Sequence, residues 1–172
     1  GGVALNCVAN GKLVKEKFFD DIWIQPAAGD AGGALGAALL VSHMKFKVPR
    51  PLNASRNNSQ KCSFLGPAFN SNEIWAFLDH KDYPHKRIKD KQERIETIAK
   101  ALSDGMVVGY FSGRMEFGPR ALGARSILGD PRNVEMQVTM NLKIKYRESF
   151  RPFAPAVLEE RCEEYFELDY ES

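Results

Sequence analysis

Residues Gly113–Arg132, GRMEFGPRALGARSILGDPR, decide how the rest of the chain is read. Four arginines (Arg114, Arg120, Arg125, Arg132) and two acids stand among glycines and prolines that favour turns. A solvated helix face would not interrupt its charges with Gly118-Pro119. A core strand would not carry so many guanidinium groups, because burying an unpaired charge is costly. Arginines on a turn-rich frame make a socket for a phosphate or carboxylate, which the planar fork contacts in pairs. A surface loop tied by salt bridges explains the same composition, and composition alone gives the two readings similar weight.

Outward from this segment the pattern is α/β. Lys91–Ser103 places Ile95, Ile98, Ala99 and Leu102 on one helical face, and Gly105 ends the helix. Met106–Phe111 (MVVGYF) is an apolar strand that runs into the arginines, and functional groups at a strand's end suit an α/β ligand site. Downstream, Asn133–Asn141 is a helix and Lys143–Arg147 a strand. There Lys143 and Lys145 alternate with Leu142, Ile144 and Tyr146, which puts both lysines on one face of a sheet. Glu159–Phe166 is helical. Upstream, Asn70 and Glu73 form a capping box for a helix to Leu78. Asp21–Gln25 (DIWIQ) reads as a short strand, Pro26–Gly29 as a turn, and Asp30–His43 as a helix rich in Gly and Ala. Its small residues allow close approach of a sheet or of a nucleotide, and Asp30 serves either as its N-cap or as a ligand. Ala4–Ala9 is a helix closed by Asn10-Gly11, or the first arm of a hairpin turned by the same pair.

Charge is concentrated locally. The whole chain has 24 Lys+Arg against 22 Asp+Glu, a net charge of +2, which does not argue for nucleic acid. Between Arg114 and Arg151 the balance is eight to four, with Lys143, Lys145, Arg147 and Arg151 as a second cluster. Glu159–Ser172 carries seven acids and one arginine. Such asymmetry focuses an anionic ligand. Lys45–Lys61, with five cations and two prolines, reads as a linker or loop.

The same residues carry a family resemblance. GRMEFGPRALGARSILGDPR and IKYRESFRPFAP resemble the carbamoyltransferases that modify antibiotics and nodulation factors. GGVALN (Gly1–Asn6) and PAAGDAGGALGAAL (Pro26–Leu39) resemble that family in the same order. The resemblance implies an α/β fold: the end of an actin-like (Kae1-like) ATPase domain over 1–45, a linker over 46–64, and part of a YrdC-like domain with a mixed sheet over 65–172. Relatives of this kind are several times longer, so the chain is expected to be a fragment of a larger protein.

The chemistry that the resemblance implies is ATP-dependent activation of carbamoyl phosphate as carbamoyl-AMP, followed by transfer to a small-molecule hydroxyl. Both substrates are polyanions, so positive charge must already be in place. By motif match the catalytic anion-binding role falls on Arg120 (GPRALG), Lys145 (IKYRE) and Arg151 (FRPFAP), with Arg114, Arg125, Ser126 and Arg147 as further substrate contacts. Glu116, Asp130 and Glu148 are expected to orient these cations. For any single arginine, an ion pair holding the loop is nearly as good an account. Asn6, Gly29 and Gly32 are implied near the nucleotide, and Asp30 as the ligand of a divalent metal, iron or magnesium, in the intact protein. One carboxylate is not a transition-metal site, so Asp30 is expected to be a stranded ligand.

Two other functions fit less of the chain. A threonylcarbamoyl-adenylate enzyme of tRNA modification would have no GGVALN and GDAGG ahead of the adenylating part. A non-enzymatic anion- or RNA-binding module would bind weakly, with a steep salt dependence and no preference for ATP. Length and a hydrophobic share of 44% allow one or two small soluble domains. No apolar run is long enough for a membrane span, and Gly1–Asn10 lacks a signal-peptide pattern. Cys7, Cys62 and Cys162 show neither zinc nor disulfide spacing, which suits a reducing cytoplasm. Asn53-Ala-Ser and Asn57-Asn-Ser match the glycosylation acceptor pattern, which is then without meaning. His43, His80 and His85 also lack metal-ligand spacing.

Overall fold

The computed structural model describes residues 1–50 and 63–167. The chain divides into two compact units, one of Gly1–Tyr83 with Phe111–Ser126, the other of Pro84–Tyr110 with Ile127–Ser172. Most of the expected linker, the acceptors at Asn53 and Asn57, and Cys62 lie outside the described residues. Among the described residues the structure is helical with one antiparallel sheet of two strands, an α/β composition.

In the first unit, α1 is Cys7–Glu16, α2 is Asp30–Leu40 and α3 is Ser71–His80. Asn6 starts α1, its side chain accepting from Ala9 N–H at 3.1 Å. Neither reading of Asn10-Gly11, as helix end or hairpin turn, holds. The helix continues through the pair and closes at Lys17, which takes the left-handed conformation (φ 52°) that the Asn-Gly pair was expected to supply. Asn10 instead turns its amide back to Ala4 O at 2.9 Å. DIWIQ is not a strand: residues 21–25 form no β-ladder, and Trp23 is 74% exposed. The helix from Asp30 is present, but its N-cap is Gly29, so Asp30 is its first helical residue and not its cap. A π-helical turn over Val41–Lys45 continues α2. The capping box before α3 forms as expected: Glu73 N–H donates to Asn70 Oδ1, and Asn70 N–H to Glu73 Oε2.

In the second unit, α4 is Lys91–Ser103, opened by Asp90 as N-cap. Its expected apolar face holds, since Ile95, Ile98, Ala99 and Leu102 line one groove of about 320 Å³ with Tyr110 and Leu128. Strand β1 (Val108–Phe111) pairs with β2 (Arg125–Leu128), and β2 lies inside the segment read as loop. Helix α5 is only Met136–Thr139, and a π-helical turn follows over Met140–Ile144. The strand expected over Lys143–Arg147 is therefore absent, and with it the mixed sheet. Lys145 ends the π turn and Tyr146 has φ 48°, so the two lysines do not share a sheet face. The physical reason is local: Met136, Met140 and Asn141 are buried, which winds this stretch inward, and Met136 and Met140 pack on Gly129. Glu159–Glu164 forms a 3-10 helix, shorter than the helical stretch expected to Phe166. No helix among the described residues is long and apolar enough to cross a membrane.

Candidate functional site

The arginine segment of the first unit is held by a ribbon of backbone bonds. Gly66 N–H donates to Met115 O at 2.9 Å, Met115 N–H to Pro67 O at 3.0 Å, and Phe117 N–H to Ser63 O at 2.6 Å. Arg114 adds a bond from its guanidinium to Gly66 O at 2.7 Å, so this cation ties two chain segments together. Beyond Phe117 the loop closes on Glu116, whose side chain has no solvent exposure. Glu116 Oε1 accepts from both Leu122 N–H and Ala124 N–H at 2.8 Å. Its Oε2 has no hydrogen bond and meets Arg125 Nε at 3.4 Å as an ion pair. Burial opposes ionisation of Glu116, but the backbone N–H donors and the Arg125 charge outweigh it and hold the carboxyl below its ordinary range. Arg125 also donates to Gly118 O, and more loosely to Arg120 O at 3.4 Å. Ser126 is half-buried in β2.

Arg120 stands apart from these ties. Its side chain is exposed, and with Pro119 it lines a cavity of about 560 Å³ whose other wall includes Leu5, Ala28, Gly29, Asp30 and Ala31. This cavity is an open depression on the surface of the unit and not an enclosed pocket. The N-terminal end of α2 opens here, where unbonded N–H groups and the helix dipole favour an anion. Asp30 places a negative charge at the same end, so an incoming phosphate is opposed by Asp30 and favoured by Arg120. Gly32 faces the other way: a Cβ there would lie 2.2 Å from Ala27 O. Asn6 is engaged as the cap of α1. Of the residues expected near the nucleotide, Gly29 lines the cavity, while Asn6 and Gly32 have structural partners.

Asp30 was expected to be a stranded ligand of a metal that the intact protein holds. Among the described residues no three His, Cys, Asp or Glu side chains are grouped to hold an ion. A lone carboxylate does not fit iron. It does fit magnesium, which is commonly held by one or two carboxylates together with a ligand's phosphates.

The second unit carries the other basic loop. Asn141 is fully buried and is its hub. Its amide donates to Ser149 O at 3.0 Å and Arg151 O at 2.8 Å, and its Oδ1 accepts from Arg147 Nε at 2.6 Å. Arg147 also lies over the Phe153 ring, 4.8 Å from its centroid. Arg151 pairs with Glu148 at 2.7 Å, and Arg132 with Asp130 at 2.6 Å. The Arg151 hydrogen bond holds Glu148 below the usual carboxylate range, and the Arg132 hydrogen bonds take Asp130 down to about 2. Lys145 is exposed at the end of the π turn. The expectation that Glu116, Asp130 and Glu148 orient cations matches their contacts. Asn141 carried no signal beyond one amide between the apolar Met140 and Leu142.

The order of these elements matches known proteins. The family profile described as carbamoyltransferase N-terminus matches residues 1–39, and that described as carbamoyltransferase C-terminus matches residues 99–172. The chain belongs to the carbamoyltransferase family. It is 45% identical to nodulation protein NolO of Bradyrhizobium diazoefficiens, over 98% of this chain and 30% of the relative. It is 55% identical to an uncharacterized protein, sll1178, of Synechocystis, over 100% of this chain and 28% of the relative. Nodulation protein U of Sinorhizobium fredii is 34% identical, over 96% of this chain and 26% of the relative. The chain spans less than a third of the length of these relatives. The Arg120 loop lies in the C-terminal profile and Gly29–Asp30 in the N-terminal one, yet both line one cavity of the first unit.

Proposed function

We propose that this chain carries anion-binding parts of an ATP-dependent O-carbamoyltransferase, which activates carbamoyl phosphate as carbamoyl-AMP and passes the carbamoyl group to the hydroxyl of a small molecule. In that reading 1–45 ends an actin-like (Kae1-like) domain and 65–172 begins a YrdC-like one. The observation that carries the reading is the cavity at Gly29, Asp30 and Arg120, where a guanidinium, a helix N-terminus and a carboxylate face the same space. A phosphate chain meets Arg120 and the α2 N–H groups there. Asp30 suits the cation that accompanies such a chain, and that cation would supply charge neutralisation.

Adenylation needs little proton transfer. It needs charge set in advance against phosphates that leave, and each unit by itself carries a basic loop of that kind. Lys145 is an exposed point charge suited to carbamoyl phosphate. The acceptor hydroxyl then displaces AMP from the carbamoyl carbon.

Calorimetric titration of the chain with ATP and with carbamoyl phosphate, beside Arg120→Ala and Lys145→Ala, tests this. Saturable binding that weakens at least tenfold in the variants supports it. Weak binding that is unchanged in both, with a steep salt slope and no preference for ATP, would favour a plain anion-binding module.

A further inference from the structure

Arg120 has no fixed partner of its own among the described residues, so something else must set where it points. The tip of its loop is closed from two sides. Glu116 Oε1 draws in the N–H groups of Leu122 and Ala124, each at 2.8 Å. Arg125 reaches the carbonyls of Gly118 and Arg120 from the opposite direction. The carboxylate and the guanidinium then meet each other at 3.4 Å, with the carboxylate shut off from solvent. The loop 118–124 is thus wrapped on a single internal ion pair. Acceptor meets backbone donors on one flank, and donor meets backbone carbonyls on the other. At its base, Gly118 sits so close to Ala27 that a Cβ would come within 2.9 Å of the Ala27 side chain. Ala27 is two residues from Gly29, in the turn that opens the cavity.

We infer that Glu116, acting through Arg125, is a positioning residue for Arg120: the pair sets the loop shape that aims the Arg120 guanidinium at the cavity of Gly29 and Asp30. The role as a phosphate contact belongs to Arg120 and rests on the function proposed above. The role of Glu116 is separate, since its carboxylate never reaches the cavity. Removing its charge would leave the Arg125 guanidinium without its counter-ion inside the loop. Its backbone donors would face a weaker acceptor.

The test is a double-mutant cycle on the full chain with Glu116→Gln, Arg120→Ala and the combined variant, read by ATP affinity and by amide hydrogen exchange. Glu116→Gln keeps the shape of the side chain but leaves Arg125 without its buried counter-ion, so circular dichroism beside the wild type first establishes that the variant folds. Faster exchange at Leu122 and Ala124 is expected. So is a fall in ATP affinity of roughly tenfold that disappears in the Arg120→Ala background. An equal fall in that background would overturn the inference, because Glu116 would then act without Arg120. Unchanged exchange at Leu122 and Ala124 overturns it whatever the ligand does. If ATP affinity is indifferent to Arg120→Ala, the phosphate reading of the cavity fails. The positioning is then decided by exchange across 118–124 alone. Arg125→Lys, which keeps charge and loses the fork, is expected to repeat the Glu116→Gln result.

Discussion

Gly118→Ala is the substitution whose cost the structure resolves best, because Gly123 provides its control. The two glycines have nearly the same backbone angle, φ 108° and 110°. A Cβ at Gly123 meets nothing within 4 Å, whereas at Gly118 it lies 2.9 Å from Ala27 Cβ and 3.2 Å from Ala27 Cα. Carbon atoms in contact prefer about 3.5–4.0 Å. An alanine in this sparsely populated region of backbone space costs about 1–3 kcal/mol at either position. Overpacking against Ala27, which has no exposed surface, adds about 1–3 kcal/mol at Gly118 only. The expected destabilisation is therefore about 1–3 kcal/mol for Gly123→Ala and about 2–6 kcal/mol for Gly118→Ala. Urea unfolding followed by tryptophan fluorescence reads the right part of the molecule, since Trp23 and Trp75 both belong to the first unit. Adding Ala27→Gly to Gly118→Ala removes the nearer contact, so the pair should be less destabilised than the sum of its single changes. Equal costs at Gly118 and Gly123, within about 0.5 kcal/mol, would refute the packing of the Arg120 loop on the turn before α2.

Two further outcomes concern the second unit. Asn141→Ala removes two donors and the acceptor of Arg147. Ser149 and Arg151 are exposed enough for their carbonyls to find water, so the cost is expected near 2 kcal/mol, with faster amide exchange across residues 145–151. The carboxyl of Asp130 should titrate near 2 by carbon NMR, because hydrogen bonds from the Arg132 side chain and N–H, with the Arg132 charge, favour its ionised form over the opposing effect of burial. The sign follows from a folded value below the ordinary 3.8: the stabilising contact is complete above about 3.8 and is lost as pH falls through about 2. Arg132→Ala should move the midpoint back toward 3.8, and a wild-type midpoint already there contradicts the pairing.

The elements legible in the sequence were those whose signals are local and redundant. Helix α4 had an apolar face, an acidic start and a following glycine, and its span, Lys91–Ser103, matches the reading. The capping box of α3 likewise needs only residues three apart. Misreadings came from short patterns that depend on distant partners. Five alternating residues at Lys143–Arg147 satisfy a strand template, yet Met140 and Asn141 are buried, Lys143 and Ile144 end a π turn that starts at Met140, and the remaining three follow it as irregular backbone. DIWIQ lacked a paired strand among the described residues. Strand β2 was hidden because Arg125 was read with the loop it closes. At the candidate site the residue types were legible but not their division of labour. Arg114, Arg125 and Arg147 are tied to carbonyls, a carboxylate or an amide, whereas Arg120 and Lys145 project from the loops. Nothing in spacing alone separates an arginine that holds a loop from one the loop presents.

The Glu116–Arg125 pair also sets how this loop could change over evolutionary time. In many ion pairs the two charges can trade places with little harm. Here they cannot, because the carboxylate faces backbone N–H groups and the guanidinium faces backbone carbonyls, and the backbone has no second polarity to offer. A reversed pair would set donor against donor and acceptor against acceptor inside a closed ring. The base of the loop is therefore frozen by main-chain chemistry, while the side chain at position 120 answers only to what lies across the cavity. Under the proposed function, a change of the tip residue on an unaltered frame would be the simplest route to a different ligand preference.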